Sequence, residues 1–397
     1  MRISTTQIQQ QEVNAILDKQ AQLSKVQLQL STGKRIVSPE DDPAGASQIL
    51  DLNQALAITN QYTSNAETAK ARLSLEESTL GDATNLLHAV RTLAVRANNA
   101  SLSSQDRAAI ALEVRERLNE VLSLANTKDS NGEYLFSGYQ GQTQPFAATT
   151  GGTFSYSGDS GQRYLQISAT RQVAVSDSGT DVFRSIPSGN GTFTTADNSA
   201  NSGSGVIDSG SVTNPAAYVA NNFSINFTSA TTFDVVNTTT SATILSAQPY
   251  TSGNAISFNG SQVIISGVPA SGDSFTVTAG ATQDVFTTVQ NMARVLETGG
   301  GSLAHITNVL SRTLTDVDQA LNNIDGIRAR TGSRLNAVES QIEINGAFSL
   351  QIQQTLSTVQ DVDYTEAASR LNLQLVALQA AQQAFVKVQG LSLFNYL

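Results

Sequence analysis

The two histidines, His88 and His305, are the side chains in this 397-residue chain best placed for general-base or metal chemistry at neutral pH. Each lies in a helical stretch, and neither has a second ligand at the i+3 or i+4 spacing of a metal-binding helix, so both read as structural or solvent-facing. Glu40, Asp41 and Asp42 could hold a cation or share a proton. Pro43 follows directly, however, and Asp41 or Asp42 is placed to cap a helix that the proline opens. Asp129-Ser130-Asn131-Gly132-Glu133 has the outline of a calcium loop without its ligand spacing or its closing glutamate. Gly33-Lys34 lacks the first glycine of a phosphate loop, and Arg35 stands where a Ser or Thr would bind magnesium. There is no cysteine, and no serine shares a motif with a base. The expectation is a protein that is not an enzyme, with no catalytic residue, no metal and no cofactor, whose work is contact between surfaces.

The elements that would make such contacts stand at the two ends. Near the N-terminus, Val13, Ile16, Gln20, Leu23, Gln27 and Leu30 are spaced by alternating threes and fours. Near the C-terminus, Leu371, Leu375, Leu378, Gln382, Phe385 and Gln389 follow the same rule, with Val388 beside the last. Both are heptad seams in need of a partner, and we expect the two ends to pair with each other and with neighbouring copies. The glutamines have two readings. They are surface positions if the seam is phased one residue away, or they fix register and partner choice as polar seam residues do. Short, lightly apolar helices are marginal alone, so both ends are expected to be mobile in the free protein and to order on assembly. Gly33 ends the first helix, and a non-helical connector follows in which Arg35, Asp41, Asp42 and Pro43 stand out.

Composition agrees with this emphasis. Net charge is -10, the isoelectric point is about 4.7, and 40% of residues are apolar, which suits a folded, acidic chain of two or three domains and argues against a nucleic-acid footprint. No run of about eighteen apolar residues occurs, and the start, MRISTTQIQQQEV, lacks the apolar core of a secretory signal, so neither membrane insertion nor a cleaved leader is expected.

Between the ends, helical pattern runs from Ala44 to about Asn99 and from Gln105 to Ala125, with Ser103 or Ser104 as cap, and Glu133 to Phe136 reads as a strand or hairpin start. From Gly141 to Ala281, Ser, Thr, Gly and Asn dominate. Short alternating runs there, such as Phe223 to Phe227 and Phe233 to Val236, predict an all-β insert, with 185–214 as a long loop. A helix at Asp284 to Leu296 breaks at Gly299-Gly300-Gly301. A seam then runs from Ile306 through Ile324, Val338 and Phe348 to Val362, whose natural partners are the helices of 44–125. The fold class is α+β: a long antiparallel, coiled-coil-like helical rod with an inserted β domain. The domains expected are terminal assembly helices (1–43 and 364–397), a helical rod with a short hairpin (44–140 and 282–363) and the insert (141–281).

The run Leu30-Ser31-Thr32-Gly33-Lys34-Arg35-Ile36, followed by Ser38, Asp41-Asp42 and Ala44-Gly45, resembles the signature after the first helix of bacterial flagellins and their relatives. Asp361-Val362-Asp363-Tyr364-Thr365-Glu366 resembles the element before their last helix. Pro43 after the Asp pair and the ending GLSLFNYL are similar to the hook–filament junction branch rather than to flagellin itself. The likeness covers the two ends and says nothing of the insert. It implies a structural, secreted subunit of the extracellular flagellum, exported by the flagellar type III route and assembled as a ring of copies. The implied partners are a neighbouring hook-associated junction protein, flagellin, and a cytoplasmic export chaperone on the C-terminal helix. A flagellin filament subunit, or a flagellin-like scaffold carrying an adhesin or enzyme site in its insert, are the alternatives.

Overall fold

The computed structural model describes residues 5–150, 152–280, 282–298 and 301–390. The expected break at Gly299-Gly300 and the C-terminal residues 391–397 lie outside them, as do the side chains of Val388 and Gln389. Among the described residues six α-helices form as the periodicity requires: α1 (Thr5–Thr32), α2 (Pro43–Ala97), α3 (Ser104–Ala125), α4 (Val285–Thr298), α5 (Leu303–Gln360) and α6 (Tyr364–Gly390). At about 1.5 Å per residue, the 55 residues of α2 reach ~80 Å. Ser103 caps α3 in a reciprocal capping box with Asp106. Gly81 leaves α2 unbroken.

Two compact units emerge, residues 65–340 and the pair of stretches 1–64 and 341–397, so that α2 and α5 contribute to both. In the 65–340 unit, α2 and α5 run antiparallel, as the ion pairs Lys70–Glu339, Glu77–Arg328 and Arg91–Asp318 show. Arg115 and Glu297 tie α3 to α4. Between these helices lies an apolar core of Leu80, Leu87, Val90, Ile110, Val114, Leu310, Val317 and Ile324. It closes on an aromatic group in which Phe146 and Phe286 approach to 4.9 Å and Phe136 meets Phe183 edge to face at 5.2 Å. The α5 seam is buried at Ile306, Thr313, Ala320, Ile327, Thr331 and Val338, and in the other unit at Gln341, Asn345 and Ile352, with Val362 buried just past the helix end. Phe348, which the seam includes by spacing, is 56% exposed instead.

The insert is antiparallel throughout. It begins with β1 (Phe146–Ala148), β2 (Phe154–Tyr156), β3 (Tyr164–Gln166) and β4 (Gln172–Ala174), paired as two hairpins, β1 with β2 and β3 with β4. A π-helical turn, Thr180–Arg184, which buries Val182 and Phe183, leads to β5 (Ile186–Pro187), β6 (Phe193–Asp197), β7 (Val206–Ile207) and β8 (Ser211–Val212). Next come β9 (Phe223–Ser229), β10 (Thr232–Asn237), β11 (Ala242–Pro249), β12 (Ala255–Phe258), β13 (Ser261–Ser266), β14 (Ser274–Ala279) and β15 (Thr282–Gln283). A five-stranded sheet has the order β11-β10-β9-β14-β6; β12, β13 and β7 form a second, with β8 also on β13, and β15 returns to β5. Alternate residues Phe223, Ile225, Phe227, Phe233, Val235, Phe275 and Val277 point into one apolar core.

Two expectations need correction. Residues 133–136 form no strand: Lys128 and Tyr134 make an isolated bridge, and the chain turns so that Leu135 and Phe136 enter the helical core. The span 185–214 is not a long loop, because it holds four short strands, and β6 completes the five-stranded sheet. There Phe193 and Thr195 face inward in alternation, a period hidden because Phe193 is the one large apolar side chain of the run.

Truncating Phe286 to alanine would leave a void among three phenylalanines and is expected to cost about 3–5 kcal/mol in denaturant unfolding. Gly326 sits mid-helix with open space where a Cβ would go, so Gly326→Ala is expected to stabilise the isolated chain by ~1 kcal/mol in the same measurement.

Candidate assembly interface

At the end unit, α1 and α6 lie antiparallel and close, with many of their Cα atoms within 8 Å of each other. Small inward residues permit this: Ala367 is fully buried, and Ala377 and Ala381 are half-buried. From α1 the side chains turned toward the seam are Ile16, Lys19, Leu23, Val26, Gln29 and Leu30, with Val13 half-buried at the start. From α6 they are Leu371, Gln374, Leu378, Ala381 and Phe385. The phase therefore differs from the spacing read above. Gln20, Gln27 and Gln382 are exposed, and Leu375 is 38% exposed at the flank. Besides Lys19, the polar seam residues are Gln29, whose amide donates to the Arg35 carbonyl at 2.7 Å, and Gln374.

The connector fixes how the two helices meet. Gly33 ends α1 with φ +71°, a conformation that other residues resist, and a Cβ there would come within 3.0 Å of the Tyr364 hydroxyl. Lys34 bridges to Asp361, the Val362 amide donates to the Gly33 carbonyl at 2.9 Å, and the Arg35 amide donates to the Gln360 carbonyl at 2.7 Å. The Arg35 guanidinium adds a bond to the Val359 carbonyl at 2.9 Å and faces Asp42. The two carboxylates divide their work. Asp42 accepts from the Gly45 amide at 2.9 Å and so caps α2, which Pro43 opens. Asp41 accepts from the amides of Val37 and Ser38 at 3.0 Å each and pairs with Lys25 on α1. The Lys25 ammonium, then the two amides, hold the Asp41 carboxyl down at about 2. A polar cavity of about 310 Å³ is bounded by these residues, Gln22 and Arg370. His88 is exposed, His305 bonds Asp197 at 2.7 Å, and among the described residues no three potential ligands gather as a metal site.

What the unit leaves uncovered is as telling as what it buries. Among its described residues the buried apolar side chains are Leu23, Val26, Ile36, Ile352, Val362 and Ala367. Thirteen large ones are exposed, among them Leu17, Leu28, Leu50, Ile344, Phe348 and Leu350. On α6 alone, Leu373, Val376 and Val386 are each about two-thirds exposed, on a side of the helix turned away from α1. A helix that is apolar on two sides requires a partner on each. This second stripe was missed because the first heptad accounted for Leu375 and left Leu373 and Val376 unread.

Because the Asp41 carboxyl is held below its ordinary value, its contribution is present above pH 4 and is lost as the pH falls through about 2. Asp41→Asn is expected to cost about 1 kcal/mol near neutrality and to speed hydrogen exchange at the Val37 and Ser38 amides. That difference from the parent should close below about pH 2.

Residues 3–141 match the bacterial flagellin N-terminal helical region and residues 314–397 the bacterial flagellin C-terminal helical region. Flagellar hook-associated protein 3 of Escherichia coli strain K12 is 30% identical over 395 residues, covering 100% of this chain and 99% of that protein, insert included. Among solved structures, flagellar hook-associated protein 3 from Legionella pneumophila superposes with a TM-score of 0.74 at 35% identity, over 78% of this chain and 98% of that one. FlgL from Xanthomonas campestris gives 0.72 at 31% identity, over 77% and 99%. With long helices from both termini, a central antiparallel β region and a likeness that runs the whole length, the chain belongs to the flagellar hook-associated protein 3 family.

Proposed function

We propose that this protein is a structural subunit of the bacterial flagellar hook–filament junction, built in as a ring of copies between a neighbouring hook-associated protein and the flagellin filament. The observation that carries the reading is the uncovered apolar stripe of α6, Leu373, Val376 and Val386, on a helix whose other side is already taken by α1. Covering these three residues returns about 1.5–3 kcal/mol each, a gain available only from other chains. The seam residues Val13, Ile16, Leu23 and Leu30 on α1, and Leu371, Leu378 and Phe385 on α6, hold the pair together while the outer stripe meets neighbours. Gln20, Gln27 and Gln382, exposed on the single chain, set which neighbour and which register are accepted. In this reading Gly33, Arg35, Asp41, Asp42 and Pro43 hold the angle at which the terminal pair is presented.

The regions 1–43 and 364–397 serve as assembly helices, 44–140 and 282–363 as their support, and 141–281 as an outward insert. Before assembly the same α6 stripe must be kept from premature contact. That is the task of a cytoplasmic chaperone on the C-terminal helix during type III export to the extracellular flagellum. The work is association rather than catalysis.

The double substitution Leu373→Asp and Val376→Asp separates assembly from folding, since both positions are exposed in the single chain. The purified variant is expected to unfold within about 0.5 kcal/mol of the parent. A host carrying it should bear hooks without filaments and release flagellin into the medium. Normal filaments on those cells would remove the basis of the proposal.

A further inference from the structure

Within the 65–340 unit a second group of side chains is charged and largely buried. Glu76 on α2 is 1% exposed. Its Oε1 accepts from the Asp177 amide at 2.9 Å, and Oε2 has no hydrogen-bond partner among the described residues. Asp177 belongs to the segment that follows β4, Val175 to Ser178, every residue of which is buried. Its carboxylate takes both arms of the Arg334 guanidinium from α5, at 2.9 and 3.2 Å, and a bond from the Gln162 amide at 2.7 Å. One turn before Glu76, Arg72 binds Asp129 at 2.8 Å and Glu133 at 3.2 Å, and Arg163 also reaches Glu133. The antiparallel pairing of α2 with α5 brings Thr331, fully buried with an unpartnered hydroxyl, into the same layer as Glu76.

The charges decide the state of Glu76. Arg72, Arg163 and Arg334 face Asp129, Glu133 and Asp177, so three cations and three anions already cancel before Glu76 is counted. An ionised Glu76 would be a surplus anion, buried, with a bare oxygen and with Asp177 as its neighbour. A protonated Glu76 still accepts at Oε1 and leaves only a neutral hydroxyl without a partner.

We propose that Glu76 is a proton-operated latch: neutral in the folded protein, it holds the buried 175–178 segment against α2 and α5, and its ionisation lets that segment go. Burial, then the Asp177 carboxylate, push the Glu76 carboxyl up to about 8, against the weaker opposite pulls of the Asp177 amide, Arg334 and Arg72. In the unfolded chain the same group has its ordinary value of 4.5, so between about 4.5 and 8 the folded state holds one more proton. Stability from this site is complete below the lower value and is lost as the pH rises through the upper one.

The test compares the full-length protein with Glu76→Gln, which keeps the shape and the Oε1 acceptor without the charge. Within the window, each unit of rising pH is expected to increase the unfolding constant of the parent up to about tenfold relative to the variant, with the two profiles parallel outside it. Carboxyl carbon-13 resonances of the parent should show a glutamate titrating near 8, absent from the variant, and this readout on the parent stands even if the variant fails to fold. Above that point the Asp177 amide should exchange faster in the parent than base catalysis alone accounts for. A Glu76 carboxyl that titrates in the ordinary range overturns the proposal. So does one that titrates high while the Asp177 amide keeps its protection.

Discussion

Apolar surface left uncovered by the described residues governs the end unit. The α6 helix presents apolar side chains on two sides, and α1 supplies cover for one of them. Alanines at 367, 377 and 381 bring the backbones close and make that first contact a tight one, but they also make it thin. A thin seam buries few large side chains, so the pair draws part of its alignment from the connector, where Lys34, Arg35 and Gly33 bond the backbone from Gln360 to Val362. The geometry is thus held by polar bonds inside the chain, and the hydrophobic gain is left for outside it.

The 65–340 unit obeys the opposite rule. Its helical core and the sheet core of the insert each enclose several fully buried phenylalanines, and in the first Phe136 and Phe146 pack edge to face on Phe183. Its large apolar side chains are mostly enclosed, with Val95, Leu112, Ile244 and Val268 among those left exposed. Placing self-sufficiency and dependence in different parts of one chain lets a subunit fold before it assembles, provided the dependent part carries too little buried apolar area to drive collapse by itself.

Much of this was legible in the residues. Heptad spacing marked α5 and its exit from Ile306 to Val362, and all but Phe348 of the positions followed along it are buried or half-buried. The terminal helices were legible as helices, yet their phase was not. Val26 and Gln29 replace Gln27 in the seam because α1 packs against the small residues of α6, and a spacing rule counts only large apolar side chains. Strands with phenylalanine or isoleucine at alternate positions stood out, whereas β6, with Phe193 as its one large apolar residue, and β11, with Ile244 and Leu245 adjacent rather than alternating, did not. The cluster around Glu76 was invisible, since its members come from α2, the turn at 129–133, the segment after β4 and α5, and only the fold brings them together.

A subunit made to associate through one surface must also be kept from associating through others. The insert's five-stranded sheet ends in β11, whose outer edge is free among the described residues and offers unpaired backbone groups to any passing strand. Lysine, the usual guard of such an edge, is absent between Lys128 and Lys387. Other devices occupy its place. The pairing of β10 with β11 shifts register twice, between Phe233 and Val235 and again before Val236. Ala247 takes a left-handed φ of +47°, its amide turned to the Asp234 carboxylate at 2.7 Å, and Pro249 closes the strand without a donor. A strand so bent cannot template a flat partner over its eight residues. With that edge blunted, the sheet offers no flat strand to compete with the exposed apolar side chains of the terminal helices.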